Sequence, residues 1–299
     1  MKESIDFSII IPHKNDPVSL QRCLDSIPHL NNIQIIIVDD NSDSNIVDFD
    51  LFPGINGKDI EVYFNKEGKG AGYARNVGMS KAKGKWLIFA DADDYFTSSF
   101  YSTILKYVNS NSEVIFFNID CDKVMSKQGN AYQQKIDAYN PNIQASIDNL
   151  KYGVWVPWSK MYKKSFIDFL ELSFEERIVG NDCFFVLIAN YNTKVIEVDR
   201  NMIYYHTFNK TSLSHGHNND WVYDIERMKL FIWRARFYSS IGHSDWLKGA
   251  GIYTFLINIK EKYGFYIFLK SFVISIKQRA NFFQPIFWKL KNYASPIKS

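Results

Sequence analysis

IQIIIVDDNSDS, residues 33–44, runs almost without a break through branched aliphatic side chains and then turns abruptly to acids and small polar groups. Successive side chains of a strand point to opposite sides, so a strand that is apolar at consecutive positions is buried on both faces. The change at Asp39 marks where that strand ends. The same construction recurs on either side. FSIIIPHKN (7–15) reads as a strand over Phe7–Ile11, ended by Pro12 and followed by His13-Lys14-Asn15. WLIFADADD (86–94) reads as a strand over Trp86–Ala90, ended by Asp91-Ala92-Asp93-Asp94. Shorter strands fit Glu61–Phe64 and Val114–Asn118. Between them, Pro17–Ile27 places Val18, Cys23, Leu24 and Ile27 at near-helical spacing, and Gly70–Ala82 reads as a loop entering a helix. Buried strands alternating with helices predict an α/β fold, a mostly parallel central sheet covered by helices on both faces. Ligands of such sheets bind beyond the carboxyl ends of the strands. Three separate strands therefore deliver polar groups to one edge.

Further along, residues 119–150 are polar and weakly patterned and are expected to be a variable excursion. Trp155–Phe166 and Phe174–Asn192 regain order, and MIYYH (202–206) reads as another strand. From Trp221 the pattern is helical and rich in aromatic and basic residues, which predicts a boundary near residue 220. Apolar residues are 46 % of the 299 and charged residues 22 %, the balance of a folded globular chain with one large domain or a domain and an appendage. A net charge of +3 gives no electrostatic case for nucleic acid. Three cysteines without a CxxC pair argue against a disulfide framework or a zinc site and for a reducing, cytoplasmic setting. The opening apolar run is too short for a signal peptide. No window reaches the roughly 18 apolar residues of a spanning helix, so the expectation is a protein that touches a membrane without crossing it.

Asp91, Asp93 and Asp94 set three carboxylates directly after a buried strand, where they repel one another unless a cation is present. Magnesium or manganese, bridging one or two carboxylates to substrate phosphates, resolves this; a solvated turn that caps the next helix is the alternative. Asp39 and Asp40 can accept from a base N–H or a ribose hydroxyl, or can close a turn. The Arg75 fork suits phosphate oxygens, or pairs with a loop aspartate. Gly70 and Gly72 read as backbone freedom beside a ligand, since there is no GxGxxG or Walker pattern. Asp182, just before the apolar run FFVLIANY, is either a general base or a helix N-cap, with Glu175 and Glu176 as further acids. His206, His215 and His217 can touch metal or phosphate or be plain structure. Trp155 and Trp158 suit a sugar face or the core equally.

SIIIPHKN, IIIVDDNS, AGYARNVG and GKWLIFADADD, in this order and spacing, resemble the donor half of the GT-A glycosyltransferases, in particular the inverting family 2. The resemblance is strong over about residues 6–105. It continues more weakly through WSKMYKKSF (158–166) and GNDCFF (180–185) to about residue 215. It implies a GT-A domain over residues 1–220, with a nucleotide-sugar half at 1–118 and an acceptor half at 119–220, followed by a helical region at 221–299. It implies that Pro12 walls the base, that Asp40 reads a pyrimidine with Asp39 as helper or structural support, and that Asp91 lies near the ribose. Asp93 would bind Mn²⁺ or Mg²⁺, Asp94 would support the loop and Arg75 would approach the diphosphate. Asp182 maps to the catalytic base, although the family's usual Glu-Asp pair is here Asn181-Asp182. The implied function is inverting transfer from a nucleotide-diphosphate sugar, most simply a UDP-sugar, to a hydroxyl of a glycan acceptor. The acceptor would be lipid-linked, in bacterial capsule or O-antigen synthesis. A processive synthase would need spanning helices and a Gln-x-x-Arg-Trp motif. A nucleotidyltransferase is disfavoured by SIIIP and DDNS, and a non-catalytic sugar-nucleotide-binding scaffold by the complete set of aspartates.

Residues 260–299 hold eight basic residues and one acid, Glu261, so against +3 overall the rest of the chain is net negative. Phe265, Phe268, Leu269, Phe272 and Ile276 recur at helical spacing. This segment suits either peripheral contact with an anionic membrane or a helical hairpin packed as core. Ile267 and Ile274, off the main stripe, favour packing on two sides.

Overall fold

A computed structural model describes residues 4–122, 124–208, 220–247 and 251–282. These form two compact units, the first from residues 4–177 and 181–208, the second from 178–180 and 220–282. The first unit contains, in chain order, β1 (Phe7–His13), α1 (Pro17–Asp25), β2 (Ile33–Asp40), β3 (Ile60–Asn65), α2 (Ala71–Lys81), β4 (Trp86–Phe89) and β5 (Tyr95–Phe96). It continues with α3 (Phe100–Ile104), β6 (Val114–Cys121), α4 (Lys127–Asp137), α5 (Gln144–Gly153), β7 (Lys160–Lys163), α6 (Lys164–Phe169), α7 (Cys183–Asn192) and β8 (Ile196–His206).

The eight strands form one sheet in the order β3-β2-β1-β4-β7-β6-β8-β5. β1 pairs in parallel with β2 and with β4, and β2 with β3; β7 runs antiparallel to both β4 and β6. Every residue of β1, β2 and β4 is buried, which is why these strands read as unbroken apolar runs. The chain goes from β1 outward through β2 to β3, then crosses to β4 on the other side of β1. That reversal opens a crevice at the carboxyl ends of β1, β2 and β4.

Two strand ends lie beyond their expected limits. Pro12 does not end β1; it pairs in register with Val38, inside the strand. It can do so because β1 pairs with β4 only over Phe7–Ile10, so at Pro12 no β4 neighbour needs an N–H. β2 likewise carries Asp39 and Asp40 as its last two buried residues, opposite Phe64 and Asn65 of β3. Residues 119–150, expected as a variable excursion, instead hold the end of β6 and the two helices α4 and α5. Only a narrow stripe of α4, namely Gly129, Tyr132 and Ile136, is buried, and its remaining polar surface hid the helical period.

A cluster of polar contacts lies inside the sheet. Ser8 Oγ donates to Gln34 Oε1 at 2.7 Å and accepts from the Gly84 N–H at 2.8 Å, while Lys83 N–H donates to the same Gln34 oxygen at 2.8 Å. The turn from α2 into β4 is thereby fastened to β1 and β2. Trp158 is buried and stacks on Tyr204 with ring centroids 5.6 Å apart, so it belongs to the core.

The second unit contains α8 (Trp221–Ser240) and α9 (Ile252–Lys277). Ile225, Met228 and Ile232 of α8 pack on Ile252, Leu256 and Ile259 of α9. No helix among the described residues is long and apolar enough to cross a membrane.

Ser8→Ala removes the acceptor of the buried Gly84 N–H. It should cost about 2 kcal/mol, the scale of an unsatisfied buried donor, and lower Tm by roughly 4–8 °C. A thermal melt indistinguishable from that of the parent protein would show that the turn does not depend on this bond.

Candidate functional site

The crevice edge begins at β1 and β2. The Asp16 N–H donates to His13 Nε2 at 3.1 Å, so the ring proton sits on Nδ1 and is donated to Asp39 Oδ1 at 2.8 Å. Ser42 gives Asp39 two more bonds, hydroxyl to Oδ1 at 2.5 Å and N–H to Oδ2 at 2.9 Å. Burial alone would raise the Asp39 pKa, but the bonds from His13 and Ser42 outweigh it and hold the carboxyl below the usual range. Both oxygens of Asp39 are thus engaged in locking the loops after β1 and β2 together.

Asp40 is also buried but is used differently. Its Oδ2 accepts from the Gly70 N–H at 2.9 Å and lies 3.5 Å from Lys14 Nζ. Its Oδ1 is buried with no hydrogen-bond partner among the described residues. Gly70 takes φ 92°, a conformation that favours glycine, and this turns its N–H onto Asp40 at the start of α2. An unmet buried carboxylate oxygen is costly, and it marks a place where a ligand N–H or O–H would be stabilising.

Arg75 extends from α2 and is 5 % exposed. One arm donates to Asp91 Oδ1 at 2.5 Å and the other to Asn181 Oδ1 at 2.9 Å, with the guanidinium 5.3 Å over the Phe174 ring. The bond to Asp91 is the pairing with a loop aspartate that competes with direct phosphate contact. Three carboxylates after β4 then differ in environment. Asp91 is held by Arg75, and its N–H donates to Tyr204 Oη at 2.9 Å. Asp94 is 2 % exposed and accepts from Tyr204 Oη at 2.8 Å and the Thr207 N–H at 2.7 Å; burial, then the charges of Asp91 and Asp93, push its pKa well up. Asp93 is half-buried, and its backbone carbonyl accepts from Arg22 at 2.5 Å. Asp94 therefore points inward and fastens the loop to β8, while Asp91 and Asp93 stay accessible.

Asp182 immediately precedes α7 in helical backbone geometry, and its side chain caps none of the first-turn N–H groups. The helix-cap alternative is thereby removed. The carboxyl is half-buried, and desolvation raises its pKa to about 6, with Arg75 opposing and Asp91 adding to the rise. Gly72 explains how this segment comes so close to α2: a Cβ there would lie 2.2 Å from the Glu175 carbonyl oxygen and 3.0 Å from Asn181 Cβ. The need for glycine at 72 thus comes from the chain itself. Of the further acids, Glu175 faces Arg177 at 3.4 Å and Glu176 is exposed.

Lys160, Tyr204 and Arg22 carry no signal in the sequence. Lys160 is fully buried; its Nζ donates to the Val156 carbonyl at 2.5 Å and lies 4.6 Å from the centroid of the Tyr132 ring. Burial lowers its pKa to about 7, against the charge of Asp182. His206 Nδ1 bonds the Ser126 hydroxyl at 2.8 Å, and burial lowers its pKa. His215 and His217 lie outside the described residues. Among the described residues no three His, Cys, Asp or Glu side chains gather as a ready-made metal cage. Asp91 and Asp93 supply hard oxygen donors, and such a pair fits Mg²⁺ or Mn²⁺, which takes one or two carboxylates and completes its shell with substrate phosphate and water.

The family model for glycosyl transferase family 2 matches residues 8–170. The glycosyltransferase GlyA of Streptococcus pneumoniae serotype 4 is 23 % identical over 240 residues, 73 % of this chain and 33 % of GlyA. The uncharacterized glycosyltransferase EpsJ of Bacillus subtilis (strain 168) is 24 % identical over 227 residues, 69 % of this chain and 62 % of EpsJ. The chain thus spans less than two thirds of the length of either curated relative. Among solved structures, S. aureus TarS 1–349 in complex with UDP-GlcNAc matches with TM-score 0.63 and 20 % identity, over 77 % of this chain and 66 % of that one. The mannosyltransferase PcManGT from Pyrobaculum calidifontis, in complex with GDP-Man and Mn²⁺, matches with TM-score 0.55 and 11 % identity, over 93 % and 83 %. At these identities the likeness establishes the fold, an α/β sheet of GT-A type.

Asp39→Asn places an amide where His13 and Ser42 both donate, and should cost on the order of 2–3 kcal/mol at neutral pH. Because the folded pKa lies below the unfolded value of about 3.9, the carboxylate's contribution is present above that value and lost as pH falls through the folded pKa. Urea unfolding should therefore show a gap between parent and variant at neutral pH that closes below about pH 4. A gap of constant size would remove the ionised carboxylate from the explanation.

Proposed function

The chain belongs to glycosyl transferase family 2, and from that premise we propose that it is an inverting glycosyltransferase acting on a nucleotide-diphosphate sugar. The observation that carries this reading is the Asp182 carboxyl, uncapped at the head of α7, raised to about 6 and joined through Asn181 and Arg75 to Asp91 at the end of β4. A carboxylate with a pKa near 6 is ionised at neutral pH, yet is a stronger base than an exposed aspartate.

Each residue then has a task. The unmet Asp40 Oδ1 accepts the imino N–H of a pyrimidine base, with Pro12 as the wall beside it, which favours a UDP-sugar donor. The matched TarS structure holds UDP-GlcNAc, in keeping with this choice. Asp39 keeps the base pocket in shape, and Asp91, oriented by Arg75, accepts from the ribose. Arg75 acts on the diphosphate through Asp91 and by its charge. A divalent cation, Mn²⁺ or Mg²⁺, held by Asp93 would neutralise charge growing on the leaving diphosphate. Asp182 removes the proton from the acceptor hydroxyl as that oxygen attacks the anomeric carbon. A single displacement inverts an α-linked donor into a β-linked product. The acceptor is a glycan hydroxyl, lipid-linked in the surface-polysaccharide setting that the family resemblance implies.

Asp182→Asn keeps the shape and removes the basicity. It should lower kcat about a hundredfold or more while leaving nucleotide affinity nearly unchanged. In the parent enzyme kcat should fall about tenfold per pH unit below roughly pH 6, because the protonated carboxyl cannot accept the acceptor's proton. Release of free nucleotide from a panel of nucleotide sugars reads both effects; a variant that keeps more than about a tenth of the rate would move the base elsewhere.

Chelation should abolish nucleotide release, and Mn²⁺ or Mg²⁺ should restore it. Asp93→Ala should lose turnover while its unfolding midpoint stays within about 0.5 kcal/mol of the parent, the usual range for an accessible side chain. Full activity in EDTA would rule out the metal, and no donor turnover under any condition would favour a non-catalytic binding protein.

A further inference from the structure

α9 is broken at Gly264, whose φ of 82° interrupts the helix and leaves Phe265–Lys277 as a separate rod. In that rod the fully buried residues are Ser271 and Ser275. Their hydroxyls return to their own helix, to the Ile267 and Ser271 carbonyls at 2.8 and 2.7 Å, and Ser275 Oγ lies 3.9 Å from Met228 Sδ of α8. Ile267, Phe268 and Ile274 are half-buried against the α8–α9 core. The opposite face is exposed: Phe265 62 %, Tyr266 78 %, Leu269 44 %, Phe272 37 %, Val273 49 % and Ile276 54 %. At about 100° per residue these six fall within an arc of roughly 120° that contains no charged side chain. A water-facing helix has the reverse arrangement, apolar inward and charged outward. Here the off-stripe isoleucines and Phe268 make the packing, and the rest of the aromatic stripe is left outside.

The charges bordering this arc after the break have one sign, and before it the exposed acid Glu261 stands between Lys260 and Lys262. Lys270 and Lys277 follow it along one edge; Arg279 stands just beyond its end and Lys260 just before the break, both exposed. Lys262, before the break, is paired with Asp224 at 2.9 Å, and Lys270, in the rod, lies 4.3 Å from the Trp221 ring centroid, so α9 is tied to α8 on both sides of Gly264. An uncharged arc of aromatic and aliphatic groups about 20 Å long, edged by bases, matches the layered polarity of an anionic bilayer surface. Rings and aliphatic groups enter the headgroup boundary and ammonium groups meet phosphates. We propose that the Phe265–Ile276 face of α9 is a membrane-docking surface for anionic lipid. It stands on the second unit alone and is independent of the transfer reaction. Residues 283–299, with the aromatic and basic residues of the far C-terminus, lie outside the described residues and are not needed for it.

The test is co-sedimentation of the full chain with vesicles of phosphatidylcholine alone and of phosphatidylcholine with phosphatidylglycerol. It is run at about 0.1 and 1 M salt, where the Debye length is about 10 and 3 Å. The chain should pellet with the anionic vesicles, about tenfold less with neutral ones, and less at high salt. Phe265→Ser, Leu269→Ser and Ile276→Ser together should cut the bound fraction at least about tenfold, since each removes apolar contact with the interface. Because all three side chains are exposed, the thermal midpoint should not fall, which separates lost docking from lost folding. Lys277→Glu with Arg279→Glu should weaken binding to anionic vesicles only. Absence of binding to either vesicle, or binding untouched by the triple substitution, overturns the proposal. So does a concentration-dependent dimer, seen by analytical ultracentrifugation and abolished by the triple substitution, because the face would then be occupied by a second copy.

Discussion

The Arg75 guanidinium leaves α2 for the space between the end of β4 and the head of α7, and both of its arms are committed there, to Asp91 and to Asn181. A buried guanidinium is tolerated only when its charge and most of its donors are met. Asp91 meets the charge, Asn181 meets a second donor and the Phe174 ring lies under the plane, while Nε is buried with no hydrogen-bond partner among the described residues. The consequence is geometric. The loop that carries the acidic cluster and the segment that carries Asp182 cannot move apart without stranding a buried cation. Gly72 permits this arrangement, since any side chain there would collide with the backbone carbonyl of Glu175. Asn181 is neutral, which leaves Asp91 as the single carboxylate on the fork.

Around this cation the same residue type performs several tasks, divided by environment. Asp39, surrounded by donors, is held ionised and serves the scaffold. Asp94, buried against Tyr204 with two other carboxylates near, is pushed toward its neutral form. Asp182, desolvated but opposed by Arg75, lies between them at about 6. Asp40 retains one buried oxygen without a partner among the described residues. Burial is the largest influence at all three; hydrogen bonds from His13 and Ser42 overturn it at Asp39, neighbouring carboxylates add to it at Asp94, and Arg75 opposes it at Asp182. One crevice edge thus carries a hydrogen-bonded scaffold carboxylate, an unmet carboxylate oxygen and a carboxylate of raised pKa.

The second unit follows a different logic. In α9 the break at Gly264 lets the rod after it present serines to α8 and rings to the outside. Small buried residues allow close approach of two helices, and the apolar mass that would normally form the core is thereby displaced to the surface. Exposed apolar faces of this size on a folded chain mark interaction sites more often than accidents.

Much of the first unit was legible in the sequence because its strands are buried on both sides. A two-sided strand must be apolar at every position, so Phe7–Ile11, Ile33–Val38 and Trp86–Ala90 declared themselves, and the polar turns after them located the crevice edge. Asp40, Asp91, Asp93 and Asp182 could be named as candidates from their place after such strands or before an apolar helix. Their differences could not. Whether Asp39 is a ligand group or a scaffold group depends on Ser42, in the turn after the same strand, and on His13, which reaches it from the neighbouring strand β1. Whether Asp182 caps its helix depends on its backbone angles, and its basicity depends on burial, opposed by Arg75 from more than a hundred residues earlier in the chain. α4 escaped notice because a single narrow stripe buries it. The outward stripe of α9 was visible as a period, but a period has no inside or outside until a neighbour packs against it. Local pattern determined which segments form strands and helices and where the acids cluster. Only the tertiary structure decided which face turns inward and which charges meet, because burial and electrostatic pairing are properties of neighbours in space.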